Sequence, residues 1–126
     1  MRYLGIDYGA KRVGVALSDE EGDFAYPLSV LDNTEALIHE INKICKENNV
    51  VEIVVGESKN FDQKENDIMT EIKLFIKDLQ ESIGLPVSLH PEFMTSQEAE
   101  RLQGHNEMHD ASAAALILKH FLESKK

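Results

Sequence analysis

The apolar residues of this chain change their spacing part-way along, and that change restricts the fold more than any single residue does. Up to Leu31 they recur at every second position; from about Thr34 they recur mostly at helical spacing, broken by short β-branched runs. Tyr3 to Tyr8 reads as a first strand. Arg12 to Ser18 reads as a second, with Val13, Val15 and Leu17 alternating against small or polar residues. Gly9-Ala10-Lys11 between them reads as a tight hairpin turn. Asp19 to Asp23 is a polar loop containing Gly22. Phe24 to Leu31 is a third strand, and its Pro27 points to an edge position or a bulge.

The second period then takes over. Leu37, Ile41, Ile44 and Cys45 form a helical stripe from about Thr34 to Asn48, with Asp32, Asn33 and Thr34 offering N-cap oxygens. Val50 to Val55 is short, β-branched and ends at Gly56, as suits a central parallel strand. Ile68, Met69, Ile72, Phe75, Ile76, Leu79 and Ile83 make one long helical stripe, stopped by Gly84 and Pro86. Val87 to His90 is a short strand. Thr95-Ser96-Gln97-Glu98 is a capping-box pattern that opens a short helix ending near Gly104. Ala111 to Leu122 is a final amphipathic helix with Ala111, Ala114, Ala115, Leu118 and Leu122 inward. The order β-β-β-α-β-α-β-α-α implies an α/β fold: one mixed five-stranded sheet, antiparallel strands first and parallel strands after, with helices on both faces. Sites in such sheets gather at the carboxyl ends of the parallel strands.

A length of 126 residues suits one domain over 1–126. No apolar run reaches the roughly 18–20 residues that a bilayer span needs. The opening Met1-Arg2-Tyr3-Leu4-Gly5-Ile6-Asp7 is charged too soon to be a signal peptide. The single cysteine, Cys45, falls in an apolar stripe and cannot form an intrachain bridge. A cytoplasmic protein with no membrane partner is expected.

Thirteen Lys and Arg stand against 23 Asp and Glu, a net charge of −10. That argues against a simple electrostatic nucleic-acid binder, which should be basic. It does not exclude a metal-dependent nuclease, which brings positive charge as bound cations and keeps only a local basic strip. Three acids sit awkwardly in their surroundings. Asp7 interrupts an apolar strand, Glu92 follows the last short strand, and Asp110 opens an alanine-rich inward-facing helix. A carboxylate in a central strand is costly unless it is paired or metal-bound. Asp7 also fits a simpler role, bonding the amides of the turn after it, and Asp110 fits an N-cap. If the three acids converge, their oxygen-only set suits Mg²⁺ or Mn²⁺, and two such ions serve phosphodiester hydrolysis. Lys11 and Arg12 at the hairpin tip read as a phosphate clamp or as ordinary turn polarity. Gly5, Gly9 and Gly14 in and between the first strands allow close backbone approach or a bulge. The five histidines lack metal-ligand spacing, and no phosphate-loop motif of the Gly-x-x-x-x-Gly-Lys kind occurs.

Leu4-Gly5-Ile6-Asp7-Tyr8-Gly9-Ala10-Lys11-Arg12-Val13-Gly14-Val15-Ala16-Leu17-Ser18-Asp19 resembles the opening hairpin of the YqgF (RuvX) family. Val54-Val55-Gly56 resembles its central strand, Pro91-Glu92-Phe93-Met94-Thr95-Ser96-Gln97-Glu98-Ala99 its acidic motif, and His109-Asp110-Ala111-Ser112-Ala113-Ala114-Ala115-Leu116-Ile117-Leu118 its final helix. The hairpin and final-helix matches are specific in combination, and the resemblance spans nearly the whole chain.

The resemblance implies an RNase H-like fold related to the RuvC resolvases, with Asp7, Glu92 and Asp110 as metal-binding and catalytic carboxylates. It implies a nuclease that uses two Mg²⁺ or Mn²⁺ ions. The family is associated with 5′-end maturation of the small-subunit (16S) rRNA precursor in ribosome biogenesis; an older label is Holliday junction resolvase. The chain departs from the family pattern where Pro91-Glu92-Phe93 replaces Asp-Glu-Arg, where Glu57-Ser58-Lys59-Asn60 replaces a Leu-Pro continuation, and where Ala10 replaces threonine. These changes touch substrate grip more than metal chemistry, and Lys59 joins Lys11 and Arg12 as an expected nucleic-acid contact. The expected partners are precursor rRNA or branched DNA, and the ribosome. No dimer seam is visible, so a monomer or weak homodimer is expected. The alternatives are a junction resolvase acting on branched DNA and a non-catalytic nucleic-acid-binding or ribosome-assembly factor. A sugar-kinase-like ATPase is a poor fit, because those enzymes hold nucleotide between two such domains.

Overall fold

A computed structural model describes the backbone of residues 1–9, 11–59, 65–93 and 109–125, and the side chains of 1–9, 11–56, 70–90 and 111–125. Its elements are β1 (Arg2–Asp7), β2 (Arg12–Ser18), β3 (Ala25–Asp32), α1 (Leu37–Asn48), β4 (Val50–Lys59), α2 (Glu65–Ile83), β5 (Val87–Phe93) and α3 (His109–Ser124). The five strands form one sheet in the order β3-β2-β1-β4-β5. β2 pairs antiparallel with β1 and β3, while β1–β4 and β4–β5 are parallel. This is the mixed sheet that the change of period implies. The short helix expected from Thr95 to about Gly104 lies outside the described residues, as does Ala10 of the first turn.

Strand alternation gives the sheet two unlike faces. Leu4 and Ile6, Val13, Val15 and Leu17, and Ile53 and Val55 pack against Leu37, Ile41 and Cys45 of α1 and Ile72, Phe75 and Leu79 of α2. The opposite face is built from small residues, and α3 lies on it: Ala16 and Val54 pack against Ala114, Ile117, Leu118 and Leu122. A methyl group at Gly5 would stand 2.7 Å from Leu118 Cβ and 2.9 Å from the Ala114 carbonyl oxygen. At Gly56 it would stand 2.7 Å from Ile117 Cγ1. Glycine at these positions is what lets α3 approach the sheet so closely.

Three expectations are corrected. β4 does not stop at Val55, because Gly56 is an interior strand residue whose missing side chain admits Ile117. β5 does not stop at His90: Pro91, Glu92 and Phe93 continue the ladder opposite Glu57, Ser58 and Lys59. Pro91 is tolerated there because β5 is an edge strand, so one side of its backbone has no ladder to feed. Nor do the residues before α1 cap it as expected. The N-cap is Ala36, with no side-chain cap bond, while Thr34 Oγ1 accepts only from the Ala36 amide at 3.2 Å. A side-chain cap is typically worth ~1 kcal/mol, which this helix forgoes. Pro27 sits on the edge strand β3 beside a register shift between Val15 and Ala16, so both of its expected roles are met.

Among the described residues, no helix is long and apolar enough to cross a membrane. Cys45 is 4 % exposed, and burial pushes its thiol up from 9.0 to about 11. The thiolate is the reactive form, so a rise of two units lowers reactivity about 100-fold near neutral pH before any steric protection. A disulfide reagent at about pH 8 should therefore label native protein at least ~100-fold more slowly than urea-unfolded protein. Equal rates would show that Cys45 is not buried in solution. Because the folded value lies above the unfolded one, the stability gained from the neutral thiol is complete below pH 9.0 and is lost as pH rises through about 11.

Candidate functional site

Asp7 is the last residue of β1, the central strand, and it is half-buried. Its register partners are Gly14 on β2 and Gly56 on β4. Neither flanking strand therefore places a side chain directly beside its carboxylate. It is an acid at the end of an otherwise apolar strand with both lateral neighbours reduced to backbone, and the space that a side chain at Gly56 would take is held by Ile117 of α3.

Glu92 belongs to β5, where its register partner is Ser58, two residue pairs beyond His90 and Gly56. It thus lies within the strand rather than after it, at the same carboxyl edge as Asp7 and two strands away. Strand parity puts position 92 on the sheet face that carries His90, whose ring meets Phe121 of α3 edge-on at 6.2 Å.

Asp110 is the second residue of α3. The helix direction follows from its contacts. At its C-terminal end, Lys125 Nζ lies 5.0 Å from the Tyr3 ring centroid, 5.2 Å from that of Phe121 and 3.9 Å from Glu52 Oε1. Ser88 Oγ donates to Glu52 Oε2 at 3.0 Å. These contacts fasten the end of α3 near the start of β1, although an exposed ion pair of this kind contributes at most ~1 kcal/mol. Ala114 and Leu118 lie over Gly5, so α3 runs back along β1 and begins toward the Asp7 end.

Lys11 and Arg12 are exposed at the start of β2, and Lys59 ends β4; all three stand at this same edge. His90 packs its ring against Phe121. From the sequence alone Asn33 offers a helix-cap oxygen. Its side-chain amide instead donates to the Gly9 carbonyl at 2.8 Å, and its backbone amide donates to the Lys11 carbonyl at 2.9 Å. The signal that could have found it is chemical: asparagine carries a donor that a helix cap leaves unused.

Among the described residues, one acidic group gathers tightly. Asp19, Glu21 and Asp23 bring carboxylate oxygens within 4.8 Å of one another. It occupies the β2–β3 loop, at the opposite edge of the sheet from Asp7. There Asp19 Oδ1 already accepts from the amides of Asp23 at 2.8 Å and Phe24 at 3.1 Å. The Phe24 amide foremost holds this carboxyl below its usual value. The loop is closed by its own backbone, with Gly22 at φ +73°.

A family model described as "RuvX: Holliday junction resolvase" matches residues 1–124. The chain belongs to the RuvX family. A relative from Lachnospira eligens, named "Putative pre-16S rRNA nuclease", is 35 % identical over 139 aligned positions, covering 100 % of this chain and 99 % of its own length. Among solved structures, T. thermophilus RuvC in complex with a Holliday junction substrate is similar, with a TM-score of 0.63 at 19 % identity. That alignment covers 99 % of this chain and 95 % of RuvC. The fowlpox virus Holliday junction resolvase aligns over 100 % of both chains with a TM-score of 0.58 at 12 % identity. At these identities the two structures establish the RNase H-like, RuvC-like fold. The RuvX family match and the full-length relative establish the kind of enzyme, a nuclease.

Proposed function

We propose that this RuvX-family chain is a divalent-metal-dependent nuclease that trims the 5′ end of the small-subunit rRNA precursor. The observation that carries this reading is the position of Asp7 between Gly14 and Gly56, in a chain whose full-length relatives bear the pre-16S nuclease name. Asp7, Glu92 and Asp110 are the proposed metal-binding and catalytic carboxylates. An all-carboxylate donor set fits a hard cation, Mg²⁺ or Mn²⁺, better than a soft one. The chemistry such a pair of ions supplies is activation of a water and stabilisation of the leaving oxygen. Lys11, Arg12 and Lys59 are the proposed contacts to the nucleic-acid backbone. They form a local basic strip on a protein of net charge −10. The chain acts as one domain over 1–126, in the cytoplasm and on ribosomal precursors, as a monomer or weak homodimer.

The family description favours a second reading, cleavage of branched DNA. A two-fold junction calls for two sites related by symmetry, and hence for a dimer. The two readings separate in one experiment at fixed ionic strength, since backbone binding falls steeply with salt. Labelled 5′-extended precursor RNA and a four-way DNA junction are offered together, with Mg²⁺ or Mn²⁺. The expected result is cleavage of the RNA. Cleavage of the junction alone would replace the first reading with the second. Binding without cleavage of either would replace both with a non-catalytic assembly role.

A further inference from the structure

We propose that Asn33 is a positioning residue for substrate binding: it holds the turn that joins Asp7 to Lys11 and Arg12. The inference rests on the nuclease reading for what the turn does, and on geometry for how it is held. Asn33 lies in the connection between β3 and α1, where sequence logic assigns it to capping the helix. The structure gives it other work. Its Nδ2 donates to the Gly9 carbonyl at 2.8 Å and its main-chain N–H donates to the Lys11 carbonyl at 2.9 Å, so one residue clasps both ends of the turn. Helix α1 meanwhile has Ala36 as its N-cap, with no side-chain cap bond. A local rule broken at one residue, with its bonding groups spent on a neighbouring loop, points to what that loop must do.

The turn is tight as well as tied. A Cβ at Gly9 would collide with the Arg12 carbonyl oxygen, so the backbone folds back on itself within this span. Only the carbonyls of residues 9 and 11 receive the Asn33 donors. Removing Nδ2 releases the Gly9 end while leaving the main-chain bond to Lys11 in place. The loosened turn would still carry Asp7 at its base, since Asp7 is fixed in the ladder between Gly14 and Gly56. What loses its fixed position is Lys11, which lies in the turn itself, whereas Arg12 stays in the ladder opposite Asp32. The loss should therefore fall on substrate binding rather than on the chemical step.

The test compares wild type, Asn33→Ala, Lys11→Ala and the double variant on labelled 5′-extended precursor RNA at fixed salt. It is paired with native-state amide exchange of residues 9–12. For Asn33→Ala, KM should rise about 10-fold with kcat within about three-fold, and the turn amides should exchange faster while those of β4 stay protected. The double variant should be no worse than the worse single one, because both changes remove the same fixed contact. Independent, multiplying losses in the double variant would overturn the proposal. So would wild-type KM together with wild-type exchange in the turn. Asn33→Ser, which keeps a small polar side chain, serves if Asn33→Ala does not fold. If the wild type itself does not cleave the RNA, it is the nuclease reading that fails. Exchange in the turn then decides on its own whether Asn33 holds it.

Discussion

Asp7→Asn should abolish cleavage while leaving the protein folded. The substitution keeps the size and shape of the side chain and removes its charge. Asp7 ends the central strand and pairs with glycines on both sides, so no neighbouring side chain in the ladder depends on it for packing. A loss of about 10³-fold or more in kcat is expected, equivalent to about 4 kcal/mol of transition-state stabilisation. The stability signature should run the other way. In metal-free buffer, neutralising one acid of the proposed metal-binding set should remove repulsion, so the variant should melt at or above the wild-type temperature. Added Mg²⁺ or Mn²⁺ should raise the wild-type Tm by mass action and leave the variant nearly unmoved. A variant that cleaves at the wild-type rate, in preparations free of contaminating nuclease, would remove Asp7 from the site.

The second large effect is on stability. Gly5→Ala adds one methyl group at the centre of β1, aimed at α3. Its nearest neighbours would be Leu118 Cβ at 2.7 Å and the Ala114 carbonyl oxygen at 2.9 Å. Both belong to the helix frame, so no side-chain rotation relieves the clash and α3 as a whole must shift. Overpacking of this kind costs about 1–3 kcal/mol, and the upper end is expected here. For a domain of this size that lowers Tm by roughly 6–12 °C. Gly56→Ala is the instructive comparison, because the obstacle there is the side chain of Ile117, which can turn aside. It should be the milder of the two in thermal melts. Equal Tm values for Gly5→Ala and wild type would mean that α3 does not sit this close to the sheet.

The element order was legible because period is a property of many residues at once. Val13, Val15 and Leu17 cannot form a helical stripe, and Ile72, Phe75 and Leu79 cannot form an alternating one. Element ends were less legible because single residues decide them, and a single residue has several uses. Gly56 reads as a stop signal, yet it lies inside β4 because Ile117 needs the space. Pro91 reads as a strand breaker, yet an edge position excuses its missing amide. Asn33 reads as a cap, yet its donor reaches Gly9 across the sheet edge. The candidate acids stood out for the opposite reason. A carboxylate at the end of an apolar strand has few inexpensive explanations, so Asp7 could be singled out without coordinates. What spacing could not supply was the edge that Asp7, Glu92 and the start of α3 share, because that edge is made by strand register over long separations.

The seat of α3 against Gly5 joins two segments that lie nearly the whole sequence apart. During synthesis β1 leaves the ribosome early and α3 late. In the interval the small-residue face formed by Gly5, Ala16, Val54 and Gly56 has no helix to cover it. The same late helix carries Asp110 to the edge where Asp7 waits. Closing the core and completing the proposed set of metal-binding acids are therefore one event in time, so a nascent chain that lacks α3 lacks both.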